Sequence, residues 1–144
     1  MKNILCFTYL GLLFSSTTLA CVYTPGFILR ITNNIPNSKV LARCKSKDTD
    51  FGDKWLAFNQ DFQWKFCEAY FEHTLYFCHF YWESKEQVFE VFNKRYMYEC
   101  NIDHGDDNPC YWLVQEDGFY LYDFNKKSWG KRADWKPRTA QLYP

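Results

Sequence analysis

Residues 40–52 read Val40-Leu41-Ala42-Arg43-Cys44-Lys45-Ser46-Lys47-Asp48-Thr49-Asp50-Phe51-Gly52. The start of this stretch alternates, which places apolar side chains on the inward face of a β-strand, with Cys44 as the last of them. The polar remainder predicts a turn, because Asp48 and Asp50 can hydrogen-bond their own backbone and Gly52 takes a positive φ at no steric cost. The stretch therefore predicts a strand that ends in a polar turn, and none of its residues indicates catalysis.

Similar short strands are predicted on both sides of this stretch, separated by residues that favour turns. The predicted strands are 27–32, 40–44, 62–67, 74–82, 88–92, 110–114 and 119–124. Residues 55–62 are expected to form a loop or a short strand. Residues 74–82 are nearly all apolar or aromatic, so both faces of that strand are expected to be covered by other parts of the protein. The strand 119–124 is expected to be the last one, followed by a polar and basic tail.

The pattern of these strands predicts the fold class. No stretch of ten or more residues has apolar side chains at helical spacing. Seven or eight short strands are instead separated by Gly, Pro, Asn and Asp. Such a sequence predicts an all-β protein, an antiparallel two-sheet β-sandwich of the immunoglobulin-like type. The chain shows no internal repeat or linker, so residues 21–144 are expected to form a single domain.

Residues 1–20 have the composition of a secretory signal peptide. A positive start at Lys2 is followed by the largely apolar residues 4–14 and by a short segment of mainly small or polar residues, with cleavage expected after Ala20. The apolar run is shorter than the roughly 20 residues that cross a bilayer. The protein is therefore expected to be secreted and extracellular, and the alternatives are a buried N-terminal helix or a lipidated Cys21.

The charge balance limits the classes of partner. Lys and Arg together number 17, as do Asp and Glu, and one lysine lies in the leader, so the remaining chain has one excess negative charge. This balance argues against a nucleic-acid partner, because dedicated nucleic-acid binders carry a strong basic excess. No later apolar run is long enough for membrane insertion. A monomer is expected.

Six cysteines follow the leader: Cys21, Cys44, Cys67, Cys78, Cys100 and Cys110. An even number in a small secreted chain predicts a disulfide framework, whose connectivity the spacing leaves open. Zinc binding is the rival interpretation, but the sequence has no C-x-x-C pair and its three histidines are scattered. Neither a metal nor a cofactor is therefore expected.

Acid–base chemistry is conceivable at Glu72, His73 and His79. Catalysis requires such groups to converge in one pocket, and spacing alone does not show this. If His73 and His79 lie on one regular strand, they share a face. The simpler interpretation is that these residues are polar surface positions on a sheet. The alternative is a small secreted hydrolase such as a ribonuclease, which would need these residues or His104 to lie beside a carboxylate or a lysine in one cleft.

Two polar segments have alternative interpretations. Asp103, Asp106 and Asp107 could bind calcium through oxygen, but their spacing does not fit a calcium-binding loop, and a solvated surface loop is preferred.

The tail carries the six cations Lys126, Lys127, Lys131, Arg132, Lys136 and Arg138. Interleaved Trp129 and Trp135 could indicate nucleic-acid or polysaccharide contact. The preferred interpretation is that both tryptophans pack on the sandwich and the cations face solvent.

An ordered series of segments resembles a known family. The segments are Ile31-Thr32-Asn33, Cys44 to Asp48 with Gly52, Trp64-Lys65-Phe66, residues 74–82, Phe89 to Phe92, Cys100, Cys110-Tyr111-Trp112 and Asp117 to Tyr120. In this order they resemble the plant self-incompatibility protein family, the S-protein homologues, from about Phe27 to Trp135. Each segment is weak evidence alone, and the whole series is specific.

The resemblance implies a small secreted β-sandwich with two disulfides, in a family of proposed signalling ligands rather than enzymes. The best-known type is a stigma-secreted ligand that triggers rejection of incompatible pollen, and most homologues have no established role. The family cysteines correspond to Cys44, Cys78, Cys100 and Cys110. Cys21 and Cys67 are additional, and we expect them to pair with each other. Arg43 stands where the family often has histidine, and the sequence contains no N-x-S/T glycosylation site.

We therefore expect a non-catalytic ligand of a membrane receptor or another cell-surface protein. Its specificity is expected in two polar loops, residues 99–109 and 45–54. The candidate recognition residues are Asp103, His104, Asp106, Asp107, Lys45 and Lys47. The two loops carry opposite charge, and charges around an interface set partner choice and association rate more than affinity.

Overall fold

The structure is a computed structural model that describes residues 21–71, 73–100 and 105–139, so the leader lies outside the described residues. The described part contains ten strands and one helix. In chain order these are β1 (Gly26–Asn33), β2 (Val40–Lys45), β3 (Asp50–Leu56), β4 (Asp61–Cys67), β5 (Tyr76–Trp82), β6 (Lys85–Phe92), α1 (Lys94–Cys100), β7 (Asn108–Gln115), β8 (Gly118–Asp123), β9 (Ser128–Ala133) and β10 (Lys136–Pro137).

The strands form two five-stranded sheets. Sheet A has the order β4-β1-β7-β8-β9, and sheet B has the order β10-β6-β5-β2-β3. All neighbouring strands are antiparallel except β1 and β7, which run parallel. The predicted all-β class and two-sheet architecture are confirmed, with this one parallel pair as an addition.

The hydrophobic core lies between the two sheets. Phe27, Leu29 and Ile31 of β1 are completely buried, as the alternation in the sequence predicts. The indole of Trp112 in sheet A is also buried, and its Nε1 donates a hydrogen bond to the carbonyl oxygen of Val91 in sheet B at 2.8 Å. The polar atom of this large side chain is therefore satisfied by the opposite sheet.

The polar turn predicted after β2 is present, and a further strand, β3, begins at Asp50. The Ser46 backbone N donates to the Thr49 carbonyl at 2.8 Å, and the Gly52 N donates to the Asp50 carboxylate at 2.9 Å. Gly52 has a φ of 70°, as predicted, at an irregularity in the β2–β3 pairing. This left-handed backbone is the conformation that glycine adopts without strain.

The prediction that both faces of β5 are covered is wrong. Tyr76, Cys78, Phe80 and Trp82 are buried, whereas the alternate residues between them are only partly buried. β5 does lie inside a sheet, between β6 and β2, but the described chain places no second layer on the outer face of sheet B. The run of aromatic residues therefore supplies both the core and a partly exposed surface.

The prediction that residues 119–124 form the last strand is also wrong, because β9 and β10 follow. β9 pairs with β8 at the edge of sheet A, and its residues are exposed or only partly buried. An edge strand with little burial lacks the apolar alternation from which strands are predicted.

The short helix α1 was not predicted, because its seven residues are too few to show a helical period. Asn93 caps its start, with the side-chain oxygen accepting a hydrogen bond from the Tyr96 backbone N at 2.9 Å. Within the described residues, no helix has the length and apolar character needed to cross a membrane.

Candidate functional site

The strand register gathers the predicted recognition loops at one end of the sandwich. Phe27 lies beside Asn108 across the parallel pair, and Gly26 lies opposite Cys67 on β4. The turn 46–49 belongs to the same end, because it lines a cavity of about 550 Å³ together with Cys67. We define the loop end by residues 21–25, 46–49, 68–71, 73–75 and 105–107.

The three disulfides of the described residues lie at the base of the loop end. The pairs are Cys21–Cys67, Cys44–Cys78 and Cys100–Cys110. The first joins the segment before β1 to the end of β4, the second joins β2 to β5 just below the turn 46–49, and the third joins α1 to β7. Covalent links at these points limit the conformational freedom of the attached loops, and loops that are ordered in advance generally lose less entropy on binding.

The segment 105–107 is fixed to the sandwich by Asn108, which is buried. The side-chain N of Asn108 donates to the carbonyl oxygens of Gly26 at 2.9 Å and Gly105 at 2.8 Å. Asp107 forms an ion pair with Lys65 of β4 at 2.5 Å, yet its side chain remains 65% exposed. Asp106 is also exposed, and Asp103 and His104 lie outside the described residues.

The two predicted recognition lysines occupy different surfaces. Lys47 is exposed within the turn 46–49 and therefore belongs to the loop end. Lys45 is the last residue of β2, and its Nζ lies 5.3 Å from the centre of the Phe77 ring on the outer face of sheet B. The loop end thus combines Lys47 with Asp106 and Asp107.

The loop end also exposes large apolar side chains that were not predicted from the sequence. Tyr23 is 86% exposed and Phe71 is 93% exposed, and the rings of Tyr70 and Phe71 are in contact at 4.6 Å. Aromatic residues between strands have no core position to fill, which is the signal that could have identified them. Exposed apolar groups of this kind often mark a binding surface.

The segment 68–74 has its own internal hydrogen bonds. The Glu68 carboxylate accepts from the Thr74 N at 3.0 Å, and the Thr74 hydroxyl oxygen accepts from the Ala69 N at 2.9 Å. Burial raises the pKa of Glu68, although the Thr74 hydrogen bond and the charge of His73 oppose the shift.

The two described histidines do not meet in one cleft. His73 lines the cavity beside the turn 46–49 and precedes β5, so it does not share a strand with His79. The Nδ1 of His79 lies 3.0 Å from the Tyr81 hydroxyl and its Nε2 lies 3.6 Å from Glu86, both on the outer face of sheet B. Glu72 and His104 lie outside the described residues.

Metal ligation has no support in the described parts of the chain, where no three His, Cys, Asp or Glu side chains are grouped around a possible ion. The calcium alternative therefore depends on Asp103, which is not described.

The basic tail is part of the sandwich. The ring of Trp135 packs against that of Phe119 at 4.5 Å, and Trp129 contacts Tyr122 at 5.1 Å. Arg132 is paired with Glu99, and Lys131 is paired with Asp134 at 2.5 Å. Both tryptophans pack on the sandwich, as the preferred interpretation predicts. Several of the cations, however, are paired with neighbouring carboxylates.

Together these features define a small disulfide-bonded β-sandwich whose loops are held at one end. Residues 28–135 match the model of the family described as plant self-incompatibility protein S1. The chain belongs to this family.

Relatives from Arabidopsis thaliana support the assignment. S-protein homolog 29 is 33% identical over 102 residues, which cover 69% of this chain and 71% of that protein. S-protein homolog 5 is 31% identical over 91 residues, covering 63% of this chain and 66% of that protein. S-protein homolog 24 is 36% identical over 99 residues, covering 67% and 62% respectively. The chain thus spans about two thirds of the length of these relatives.

A solved structure of an SPH (self-incompatibility protein homologue) protein has the same fold. It superposes with a TM-score of 0.52 at 16% identity, covering 81% of this chain and 98% of the solved one. The SPH proteins are described there as a widespread family of small, highly stable, secreted proteins from plants. The present protein is therefore a member of a family of small secreted plant proteins.

Proposed function

We propose that the protein is a secreted, non-catalytic signalling ligand that binds a membrane receptor or another cell-surface protein through the loop end. The observation that carries this proposal is the convergence of four separate segments at one end, above three disulfides. Binding residues concentrate on loops that a rigid scaffold positions, and the sandwich is such a scaffold.

The chemistry of the loop end supports a protein partner. Tyr23, Tyr70 and Phe71 supply exposed aromatic surface, and Lys47 and Asp106 supply charges of both signs beside it. Aromatic anchors within a polar rim are the usual composition of protein interfaces. The charges are then expected to steer association and to exclude wrong partners.

Binding of the purified protein to plant cells tests the proposal. We compare the loop-end variant Asp106→Asn/Asp107→Asn with the control Glu116→Gln/Asp134→Asn at the opposite end. The control is matched, because Asp134 is an exposed carboxylate with a lysine partner at 2.5 Å, as Asp107 is.

The loop-end variant should bind cells more weakly by roughly two- to thirtyfold, because each of the two exposed charges contributes about 0.2–1 kcal/mol. Its binding should also depend less on salt. The control should bind as the unmodified protein does. Equal binding of both variants would overturn the proposal, as would hydrolysis of RNA or peptide that is lost in His73→Ala or His79→Ala.

A further inference from the structure

The outer face of sheet B has an unusual composition for a surface. The solvent face of an antiparallel sheet normally carries polar side chains. Here Trp55 on the edge strand β3 is 60% exposed, Val88 on β6 is 53% exposed, and Phe77 and Tyr81 on β5 are only partly buried. None of these side chains contributes to the core between the sheets, so packing does not explain them.

The register places these side chains in two rows across the sheet. The first row is Trp55, Leu41, Tyr81 and Glu86, and the second is Asp53, Arg43, His79 and Val88. Leu41 points outward but is only 6% exposed, because it lies between Trp55 and Tyr81. The rows form a surface in which aromatic faces alternate with polar groups.

The centre of this surface is a stacked pair of rings. His79 and Tyr81 are parallel within 18°, with their centres 4.1 Å apart, and the Tyr81 hydroxyl is hydrogen-bonded to the His79 Nδ1 at 3.0 Å. The guanidinium groups of Arg43 and Arg138 lie 5.3 and 5.0 Å from the Tyr81 ring centre. The orientation of these groups is therefore set before any ligand arrives.

Two hollows of about 480 and 350 Å³ adjoin each other on this face and share Arg43, His79 and Tyr81. We call them together the sheet B groove. The first hollow is bounded by Trp55 at one side and by Arg138 and Thr139 at the other. An elongated ligand could occupy both hollows at once.

The charges of the sheet B groove cancel. Its lining contains the three cations Arg43, Lys45 and Arg138 and the three carboxylates Asp50, Asp53 and Glu86. Several of the polar groups are already bonded to each other. Arg43 binds both oxygens of Asp53, at 2.6 and 3.3 Å, and Glu86 is hydrogen-bonded to the Thr139 hydroxyl at 3.2 Å. A charged ligand would gain little here, whereas a neutral ligand with many hydroxyls finds fixed donors and acceptors.

We propose that the sheet B groove binds a neutral oligosaccharide. A sugar ring has an apolar face of C–H groups, which the negatively polarised face of Trp55 attracts, and a rim of hydroxyls, which paired charged groups can both donate to and accept from. The exposed indole beside pre-oriented, mutually neutralised polar groups matches these two requirements. This site is separate from the loop end, so it does not depend on the function proposed there.

The test measures binding of neutral hexasaccharides derived from β-glucan, xylan, mannan and chitin to the purified protein. At least one of them should bind, and Trp55→Ala should weaken that binding by at least about tenfold, as removal of an aromatic side chain that anchors a ligand does. Trp129→Ala is the matched control, because Trp129 is also an exposed tryptophan, on β9 of the other sheet. The control and the loop-end variant Asp106→Asn/Asp107→Asn should bind as the unmodified protein does.

Four results would overturn the proposal: no binding of any neutral hexasaccharide, equal binding by Trp55→Ala, binding of acidic oligogalacturonide alone, or a dimer in sedimentation velocity that Trp55→Ala dissociates. The last result would identify the groove as an interface between two copies of the chain. The cell-binding assay of the loop-end variant remains a separate measurement, so failure of one proposal leaves the other intact.

Discussion

Asn33 shows at the scale of one residue how the end opposite the loop end is held together. It is completely buried, its side-chain N donates to the carbonyl oxygens of Ser38 at 3.0 Å and Leu56 at 2.9 Å, and its side-chain oxygen accepts from the Ile35 N at 2.9 Å. One side chain thus satisfies three backbone groups of the turn after β1 and the end of β3.

Asn33→Ala should lower the free energy of unfolding by about 2–3 kcal/mol, because it leaves buried backbone groups without partners. Urea denaturation measures this change. The control Asn125→Ala removes an exposed side-chain hydrogen bond to the Tyr98 carbonyl and should cost about 0.5 kcal/mol or less. Similar losses in both variants would contradict the assignment of Asn33 as a structural anchor.

Glu68 gives a prediction about pH. Burial raises the pKa of this carboxyl above its ordinary value of 4.5, so the folded protein binds the proton more readily than the unfolded chain does. The contribution of Glu68 to stability is therefore fully present below the pKa that this carboxyl has in the unfolded chain. It is lost as the pH rises through the higher pKa of Glu68 in the folded protein.

Replacing Glu68 by glutamine should remove this loss. The variant should gain stability relative to the unmodified protein at about pH 7 and lose that advantage at about pH 4, where the unmodified carboxyl is mostly protonated. Urea denaturation at the two pH values provides the comparison. An advantage of the same size at both pH values would contradict the raised pKa.

At the scale of elements, Gly26 sets how closely the segment 105–107 approaches β1. A Cβ atom at Gly26 would lie 2.2 Å from the Asp106 carbonyl oxygen and 2.7 Å from the Cys21 sulfur. Gly26→Ala should therefore displace the segment and cost about 1–3 kcal/mol in the free energy of unfolding.

The matched control is Gly105→Ala in the same segment, where an added Cβ meets nothing within 4 Å. It should change stability by about 0.5 kcal/mol or less. Denaturant unfolding of both variants tests the difference. If Gly26→Ala is as stable as the control, the close approach does not constrain the loop.

The elements that sequence could predict are those with one buried face. β1, β2, β4 and β7 alternate between buried and more exposed positions, so their existence follows from the pattern of apolar residues. β9 has no such face, and α1 is too short to show its period. In β5 the outward-facing residues are aromatic as well. The sequence alone does not distinguish aromatic residues on the surface from aromatic residues in the core.

The candidate site was only partly predictable for a related reason. The charges and loop positions of Lys47, Asp106 and Asp107 can be read from the sequence. The position of Asp106 and Asp107 at the loop end depends on the parallel pairing of β1 with β7, a contact between strands that are distant in sequence. The position of Lys47 depends on the pairing of β2 with β3 and β5 in the other sheet. The rows of the sheet B groove depend likewise on the register of β3, β2, β5 and β6.

At the scale of the whole molecule, the two ends of the sandwich differ. The loop end carries the longer segments and all three disulfides, whereas short turns such as residues 57–60, 83–84 and 116–117 form the opposite end. This asymmetry supports the proposal that the loop end serves recognition, whereas the short turns close the fold at the other end.

Photo-crosslinking on living plant cells tests the central claim, that the loop end contacts a cell-surface protein, most directly. A photoreactive benzoylphenylalanine replaces Phe71 at the loop end in one protein and Phe58 at the opposite end in another; both positions are exposed phenylalanines. The account predicts a crosslinked membrane protein from position 71 and none from position 58. Crosslinks from position 58 alone, or equal crosslinks from both positions, would contradict it.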